Sequence, residues 1–198
     1  MKRKIAAVAA VVLAVTPLTG CKKERINSKA TADTVSDKDR AEETCQEALE
    51  NMFKAQYSFN GAENYYSYTF PQILLNQLKI NGTYDEKITI FNDAQRIFVE
   101  NMSQMPEITE FTGQDELTDS QLEAASAYFV NIAETELLLG LDPRGINITE
   151  GYQLHYNFID YNGNADTDDN ECVVYIENDG WKVIPMSAER LREKYSNG

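Results

Sequence analysis

The sequence predicts an α+β fold, with amino-terminal helices packed on a curved antiparallel sheet in one cone-like domain, residues 37–198. Apolar residues recur at helical spacing up to about residue 137, and they alternate with polar residues from residue 152 onward. A helix buries one stripe and a strand buries every second side chain, so this change of period separates helices from strands. The hydrophobic content of 42% is enough for a core, and the 198 residues contain no repeat that would divide them.

The first two helical segments follow from apolar spacing and from one proline. Residues 37–58 carry Ala, Leu, Met and Phe on one face, and we expect Ser36 to cap this helix. Residues 61–79 also have a helical pattern, but Pro71 disfavours helical backbone at the residue before it. We therefore expect one helix over 37–58 and a second one that is broken near Pro71.

The next two helices have start signals. Thr83, with Glu86 three residues later, has the pattern of a capping box, in which each side chain binds the other residue's backbone N–H. Thr118 and Gln121 have the same pattern in front of a second apolar stripe. These signals predict helices that begin directly after Thr83 and Thr118.

Alternating apolar residues predict the sheet. We expect the polar segment 161–170 to be a long hairpin loop, because it is almost without apolar side chains. Ser187 can cap a short last helix. The predicted strands cover residues 107–112, 152–158, 172–176 and 181–185, with a tight turn at 178–180.

The amino terminus has the pattern of an export signal. Residues 1–4 read Met-Lys-Arg-Lys, and residues 5–18 contain no charged side chain. A transmembrane helix needs about 20 apolar residues, so this run has the length of a signal-peptide apolar region instead. Leu18-Thr19-Gly20-Cys21 follows, and it resembles the lipobox of bacterial lipoproteins. The resemblance implies removal of residues 1–20 and acylation of Cys21; the alternative is an ordinary secretory signal with a chance cysteine.

Lipidation would place the protein on the extracytoplasmic face of the cell membrane, with the membrane as its partner through the lipid anchor. Acyl chains hold proteins on bilayers because each buried methylene contributes about 0.8 kcal/mol. Residues 21–36 read as a flexible tether with four basic and two acidic side chains, and residues 37–198 carry 11 basic and 30 acidic ones. The resulting charge of −19 argues against nucleic acid as a partner, since phosphates are bound by basic surfaces.

The carboxy-terminal hairpin favours one fold family. Residues 174–184 read Val-Tyr-Ile-Glu-Asn-Asp-Gly-Trp-Lys-Val-Ile, and amphipathic helices precede the strands. This order resembles the nuclear transport factor 2-like, or cystatin-like, α+β cone, and in particular small lipoproteins of Firmicutes whose domain has no settled function. We expect a non-enzymatic binding or interaction domain for a small hydrophobic ligand or a protein partner. The alternative is a cone-fold enzyme that acts on a small hydrophobic substrate.

The sequence shows no catalytic constellation. Cone-fold enzymes such as ketosteroid isomerases need a buried acid or histidine base and an oxyanion donor. His155 is the single histidine, and we expect it on the exposed face of its strand, opposite the side chain of Tyr156. The chain also lacks a phosphate loop and a dinucleotide fingerprint. We therefore expect no catalytic residue and no cofactor.

Aromatic residues are concentrated where the first two helices meet. Two interpretations are open: the rings line an apolar ligand pocket, or they close the core, which we favour. The pocket interpretation names Tyr57, Tyr65, Tyr66, Tyr68 and Phe70, with Phe59 beside them.

Two cysteines remain beside the lipobox cysteine. Cys45 and Cys172 both occupy core-facing positions, one on the first helix and one on a strand. An extracytoplasmic location permits a disulfide between them. The alternative, two buried free thiols that behave as small apolar side chains, is the interpretation we favour.

The segment 162–171 is rich in oxygen ligands and invites comparison with a calcium loop. Four Asn and Asp residues fall at alternate positions, but Thr167 stands where the turn requires Gly, and Val173 stands where a bidentate Glu is required. We favour a solvated hairpin tip and expect no metal site. The four residues concerned are Asn162, Asn164, Asp166 and Asp168.

Overall fold

The computed structural model describes residues 43–139 and 145–195 of the chain. In this part, six α-helices pack with one sheet of four antiparallel strands, which are neighbours in the order β1-β2-β3-β4. The predicted α+β class, with helices packed on an antiparallel sheet in one domain, is confirmed. The helices are α1 (Cys45–Gln56), α2 (Ala62–Thr69), α3 (Gln72–Ile80), α4 (Tyr84–Asn101), α5 (Asp119–Asn131, extended by a π-helical turn at Ile132–Glu136) and α6 (Ala188–Tyr195), and the strands are β1 (Glu107–Glu116), β2 (Ile148–Ile159), β3 (Ala165–Ile176) and β4 (Gly180–Ile184).

The sheet is covered by helices on both faces. Val173 and Val183 belong to a core cluster with α1 residues such as Leu49, whereas Val174 and Ile184 belong to a cluster with residues of α3, α5 and α6. Successive side chains of a strand point to opposite faces. The two clusters therefore lie on opposite faces of the sheet, which we call the α1 face and the α5 face.

The first helix of the described residues begins at Cys45, later than the predicted start. Thr44 is its N-cap, and Thr44 and Glu47 form a capping box, in which the Glu47 carboxylate accepts a hydrogen bond from the Thr44 backbone N–H at 2.8 Å. One continuous helix over 37–58 is therefore wrong, because Thr44 has extended backbone angles. Ser36, the predicted cap, and residues 37–42 lie outside the described residues. The Thr44–Glu47 pair provides hydrogen-bond partners for two backbone N–H groups at the start of α1.

The other helix boundaries agree with the sequence signals in most places. Helices α2 and α3 are separated at Pro71, and α5 starts after Thr118, whose backbone N–H donates to Gln121 Oε1 at 2.8 Å. The capping box predicted at Thr83 is wrong, although α4 begins at the next residue. Thr83 has helical backbone angles, and its hydroxyl lies 3.5 Å from the carbonyl oxygen of Leu78.

The hairpin between β2 and β3 is tighter than predicted. The Asp160 carboxylate accepts hydrogen bonds from the backbone N–H groups of Asn162 and Asn164, both at 2.8 Å, and this closes a short turn. Strand β3 then starts at Ala165, so the loop predicted over 161–170 is wrong in its second half. Backbone pairing with β2 holds the acidic residues in the sheet despite their low strand propensity.

Candidate functional site

Three carboxylates of β3 lie on the α1 face. Tyr156 of β2 belongs to the core cluster of that face and is paired with Asp169. Glu171 is two residues further along β3, so it has the same orientation. A register shift after Tyr156 also pairs Asp166 with Phe158, another residue of this cluster. Without that shift, Asp166 and Asp169 would point to opposite faces.

Two polar atoms at this place are buried without a partner. Tyr156 is fully buried, and its hydroxyl makes no hydrogen bond to any residue in the described ranges. Glu171 Oε2 is likewise buried and has no hydrogen-bond partner there. A buried polar atom without a partner costs about 1–3 kcal/mol, so such atoms are rare in folded proteins. The pair marks a position where a further polar group would be stabilising.

Burial changes the acidity of these groups. Burial raises the pKa of Glu171 to about 8, and the charge of Asp169 adds to this effect. Burial also raises the pKa of Asp169, with Asp166 as a further contributor. The pKa of Tyr57, on α1, is raised to about 12 by burial and next by Glu171. Glu171 can therefore exchange a proton near neutral pH.

Tyr57, Tyr156, Asp166, Asp169 and Glu171 together form what we call the acid–tyrosine cluster. Burial and then Glu171 raise the pKa of Tyr156, which places its hydroxyl in the field of the carboxylates. The ion pairs within the described ranges involve Lys54, His155 and Lys182, and none includes a carboxylate of the cluster. Those basic side chains therefore do not compensate the cluster, and near neutral pH Glu171 is mostly in its protonated form.

An apolar groove lies beside the cluster, between the end of α4 and the β2–β3 turn. Its volume is about 410 Å³. The ring of Phe98 packs against Tyr161 with centroids 5.0 Å apart and against Tyr57 with centroids 5.8 Å apart. Tyr57, itself a member of the acid–tyrosine cluster, thus contacts the groove wall. The groove is lined by Ala94, Ile97, Phe98, Asn101, Met102 and Tyr161.

The aromatic residues predicted to line a pocket do not line this groove. Tyr57 and Tyr68 are core residues of the α1 face, and the Tyr68 hydroxyl donates to Glu43 Oε1 at 2.9 Å. Tyr65 and Tyr66 are half-buried and pack on Phe91 of α4, at centroid distances of 4.7 and 5.4 Å. The rings fill space between α1, α2 and α4, as in the core interpretation. Phe70 stacks on Tyr66, and Phe59 is exposed.

The structure contradicts a disulfide between Cys45 and Cys172. Both thiols are free and buried. Cys45 belongs to the cluster of the α1 face, and its Sγ lies 3.7 Å from Gln114 Oε1, whereas Cys172 belongs to the cluster of the α5 face. Cys172 follows Glu171 directly, so the alternation of β3 turns its side chain away from α1.

The tight turn at the hairpin separates oxygen ligands that the calcium interpretation places in one loop. The Asp160 carboxylate and the amide of Asn164 are bound to each other, with Nδ2 3.1 Å from Oδ2, and Asp166 lies in the strand. Within the described residues, no group of three or more metal-binding side chains is placed to hold an ion. The oxygen atoms counted along the sequence are divided between a turn and a strand.

His155 is half-buried and not fully exposed as predicted. Its Nε2 lies 2.8 Å from Asp115 Oδ2 of β1 and 3.2 Å from the Gln153 amide nitrogen. Gln153 in turn accepts a hydrogen bond from the Ala188 backbone N–H at 2.7 Å. These contacts join β1, β2 and α6, which gives His155 a structural part on the face opposite Tyr156.

Sequence reasoning missed the acid–tyrosine cluster and the groove. Asp169 and Glu171 continue the alternation of Val173 and Tyr175 backward along the chain, and this period of two was the available signal. The density of acidic residues suggested a loop instead. The contact between Phe98 and Tyr161 joins residues far apart in sequence, so no local pattern could indicate it.

The predicted lipid anchor, Cys21, and the tether lie outside the described residues. In residues 43–139 and 145–195, every helix is too short or too polar to cross a bilayer. The chain matches no family model, no curated protein and no solved structure. The resemblance to the nuclear transport factor 2-like cone therefore stays a prediction.

Proposed function

We propose that this protein is a lipid-anchored, extracytoplasmic binding protein whose folded domain takes an apolar ligand in the groove beside α4, without catalysis. The groove itself is the observation that supports this proposal. Its wall is made by rings and aliphatic side chains, and binding sites for small molecules are usually concave and mostly apolar. Ile97 in the lining has 61% of its surface exposed, so its side chain is accessible to a ligand.

The anchor is tested by the change Cys21→Ala. We expect the parent chain to sediment with the membrane fraction and the variant to appear in the soluble extracytoplasmic fraction, because no thiol is left for acylation. Acyl labelling of the parent and not of the variant is the matching chemical measurement. Two acyl chains give stable anchoring whereas a single chain is marginal, so the shift should be nearly complete. A variant that still sediments with membranes would contradict lipid anchoring at Cys21.

The groove is tested by the change Ile97→Glu in the full chain that also carries Cys21→Ala. We expect a neutral apolar probe, Nile red, to lose at least ~5-fold in affinity, because Glu removes apolar contact surface and the bound probe would take water away from its carboxylate. Fluorescence titration measures the affinity. Ile80→Glu is the matched control, since Ile80 is 76% exposed on a different helix. Equal probe affinity in the two variants would contradict binding in the groove.

The acid–tyrosine cluster favours a second candidate function, a cone-fold enzyme. Glu171 is a buried carboxyl with a pKa near 8, and a hydroxyl without a partner lies beside it on Tyr156. A general base and an oxyanion donor need these properties. The ring of Tyr57 lies between the groove and these groups, which is why we place binding first. Exchange of the α-protons of cyclohexanone in heavy water, lost in Glu171→Gln, would favour the enzyme.

A further inference from the structure

The described ion pairs bring no basic side chain to the carboxylates of the acid–tyrosine cluster. Asp166, Asp169 and Glu171 share one face of β3, and the described ion pairs leave all three without a basic partner. Asp166 is exposed, whereas Asp169 and Glu171 are half-buried, and burying two anionic carboxylates together is costly unless a cation or a proton compensates them. Without a ligand, a proton on Glu171 supplies this compensation near neutral pH. A ligand with a positive charge can take the place of that proton, and the adjoining groove can hold the rest of such a ligand.

The two unpartnered atoms specify the kind of donor that fits. Glu171 Oε2 accepts hydrogen bonds when ionised, and the Tyr156 hydroxyl can accept one as well. Tyr156 and Glu171 are diagonal neighbours across β2 and β3, at a separation of about 7–8 Å between backbones. A group with several N–H donors and a positive charge can bind both atoms at once. Water supplies donors without the charge, and an anion would be repelled.

Aromatic rings extend from the groove to this place. Tyr57 packs on Phe98 at the groove wall and on Phe53 on its other side, and Phe53 packs on Tyr156 at 5.9 Å. Organic cations are attracted to the faces of such rings. An apolar body attached to the cation would remain in the groove, against Phe98 and Tyr161.

We propose that the groove and the acid–tyrosine cluster form one binding site for an organic ammonium ion. The ammonium group lies among Glu171, Asp169 and Tyr156, and the apolar part of the ligand lies against Phe98 and Tyr161. The inference rests on the proposed binding function and names the class of ligand. Tyr57 lies between the two parts of the site, so its ring must turn aside when the ligand binds.

Calorimetric titration with hexylammonium at pH 7 tests the proposal, on the full chain carrying Cys21→Ala. Hexanol and hexanoate have the same alkyl chain without the positive charge, and we expect each to bind at least ~10-fold more weakly. Ionised Glu171 is the form that binds the ligand, so binding should release protons, up to about one for each ligand. Titration in two buffers with different heats of ionisation measures this release.

Two variants locate the charged end of the ligand. Glu171→Gln should weaken hexylammonium binding ~10–100-fold and remove the proton release, because a charge-assisted contact is lost. Tyr156→Phe keeps the ring and should weaken binding ~3–10-fold. Glu123→Gln makes the same change at an exposed position of α5 and should have no effect.

The outcomes separate this inference from the proposed function. Equal affinity for hexylammonium and hexanol, or unchanged affinity in both Glu171→Gln and Tyr156→Phe, would overturn the ammonium site and leave an apolar groove intact. If hexylammonium gives no saturable heat up to about 10 mM while Nile red still binds, the ammonium site is likewise overturned and the apolar groove remains. If Ile97→Glu and Ile80→Glu both bound Nile red as tightly as the parent chain, binding in the groove itself would be overturned.

Discussion

Glu171→Gln is expected to make the protein more stable than its parent at alkaline pH, with a gain that disappears in acid. The pKa of Glu171 is about 8 in the folded chain because of burial, against 4.5 for an ordinary glutamate. Below pH 4.5 the carboxyl is protonated in both the folded and the unfolded chain, so it does not lower the free energy of unfolding there. Between these two values the unfolded chain ionises while the folded chain keeps its proton, so stability is lost as the pH rises. Above about pH 8 the loss is complete.

The size of this effect follows from the separation of the two pKa values. Each unit of separation corresponds to about 1.36 kcal/mol, so the free energy of unfolding of Glu171→Gln relative to the parent should increase by up to ~4 kcal/mol between pH 4.5 and pH 9. Urea unfolding at several pH values measures it. Glu123→Gln is the control, and its pH profile should follow that of the parent. Parallel profiles for Glu171→Gln and the parent would contradict a buried, unpaired carboxyl.

The sequence predicts those parts of the fold that depend on neighbouring residues. Thr118 and Gln121 cap α5 as expected, and the break between α2 and α3 comes from the single proline between them. The turn before β4 is also confirmed, because Asn178 and Gly180 both adopt the left-handed backbone that such a tight turn requires. Each of these features is determined within a few residues, so local chemistry is sufficient.

The features that the sequence does not predict depend on long-range contacts. The local sequence around Asp169 predicts a loop, and only the pairing of Asp169 with Tyr156 of β2 shows that it belongs to a strand. Thr83 has the residues of a capping box, but its hydroxyl lies near the Leu78 carbonyl instead. Cys45 and Cys172 are both core positions in the sequence, and the structure alone shows that the sheet lies between them. Neither the acid–tyrosine cluster nor the groove can be derived from local patterns.

Phe129→Ala is expected to be the most damaging single substitution in the α5 face of the core. Phe129 is fully buried and belongs to the same cluster as Cys172 and Leu191, and its ring packs on Tyr128 with centroids 5.2 Å apart. Truncation leaves a cavity between α5 and the sheet, at a cost of about 3–5 kcal/mol. Small domains have a total stability of about 5–15 kcal/mol, so a large part of it would be lost.

Urea unfolding of the full chain carrying Cys21→Ala measures this loss, as a lower midpoint at an unchanged slope. Phe59→Ala is the matched control, because it removes the same atoms from a ring that is 52% exposed and should change the midpoint little. Cys172 gives a second measurement, since burial raises the pKa of its thiol to about 12 in the folded chain. A chain that also carries Cys45→Ala should react faster with a thiol reagent when Phe129 is replaced. Equal midpoints for Phe129→Ala and Phe59→Ala would mean that α5 does not hold this face of the sheet.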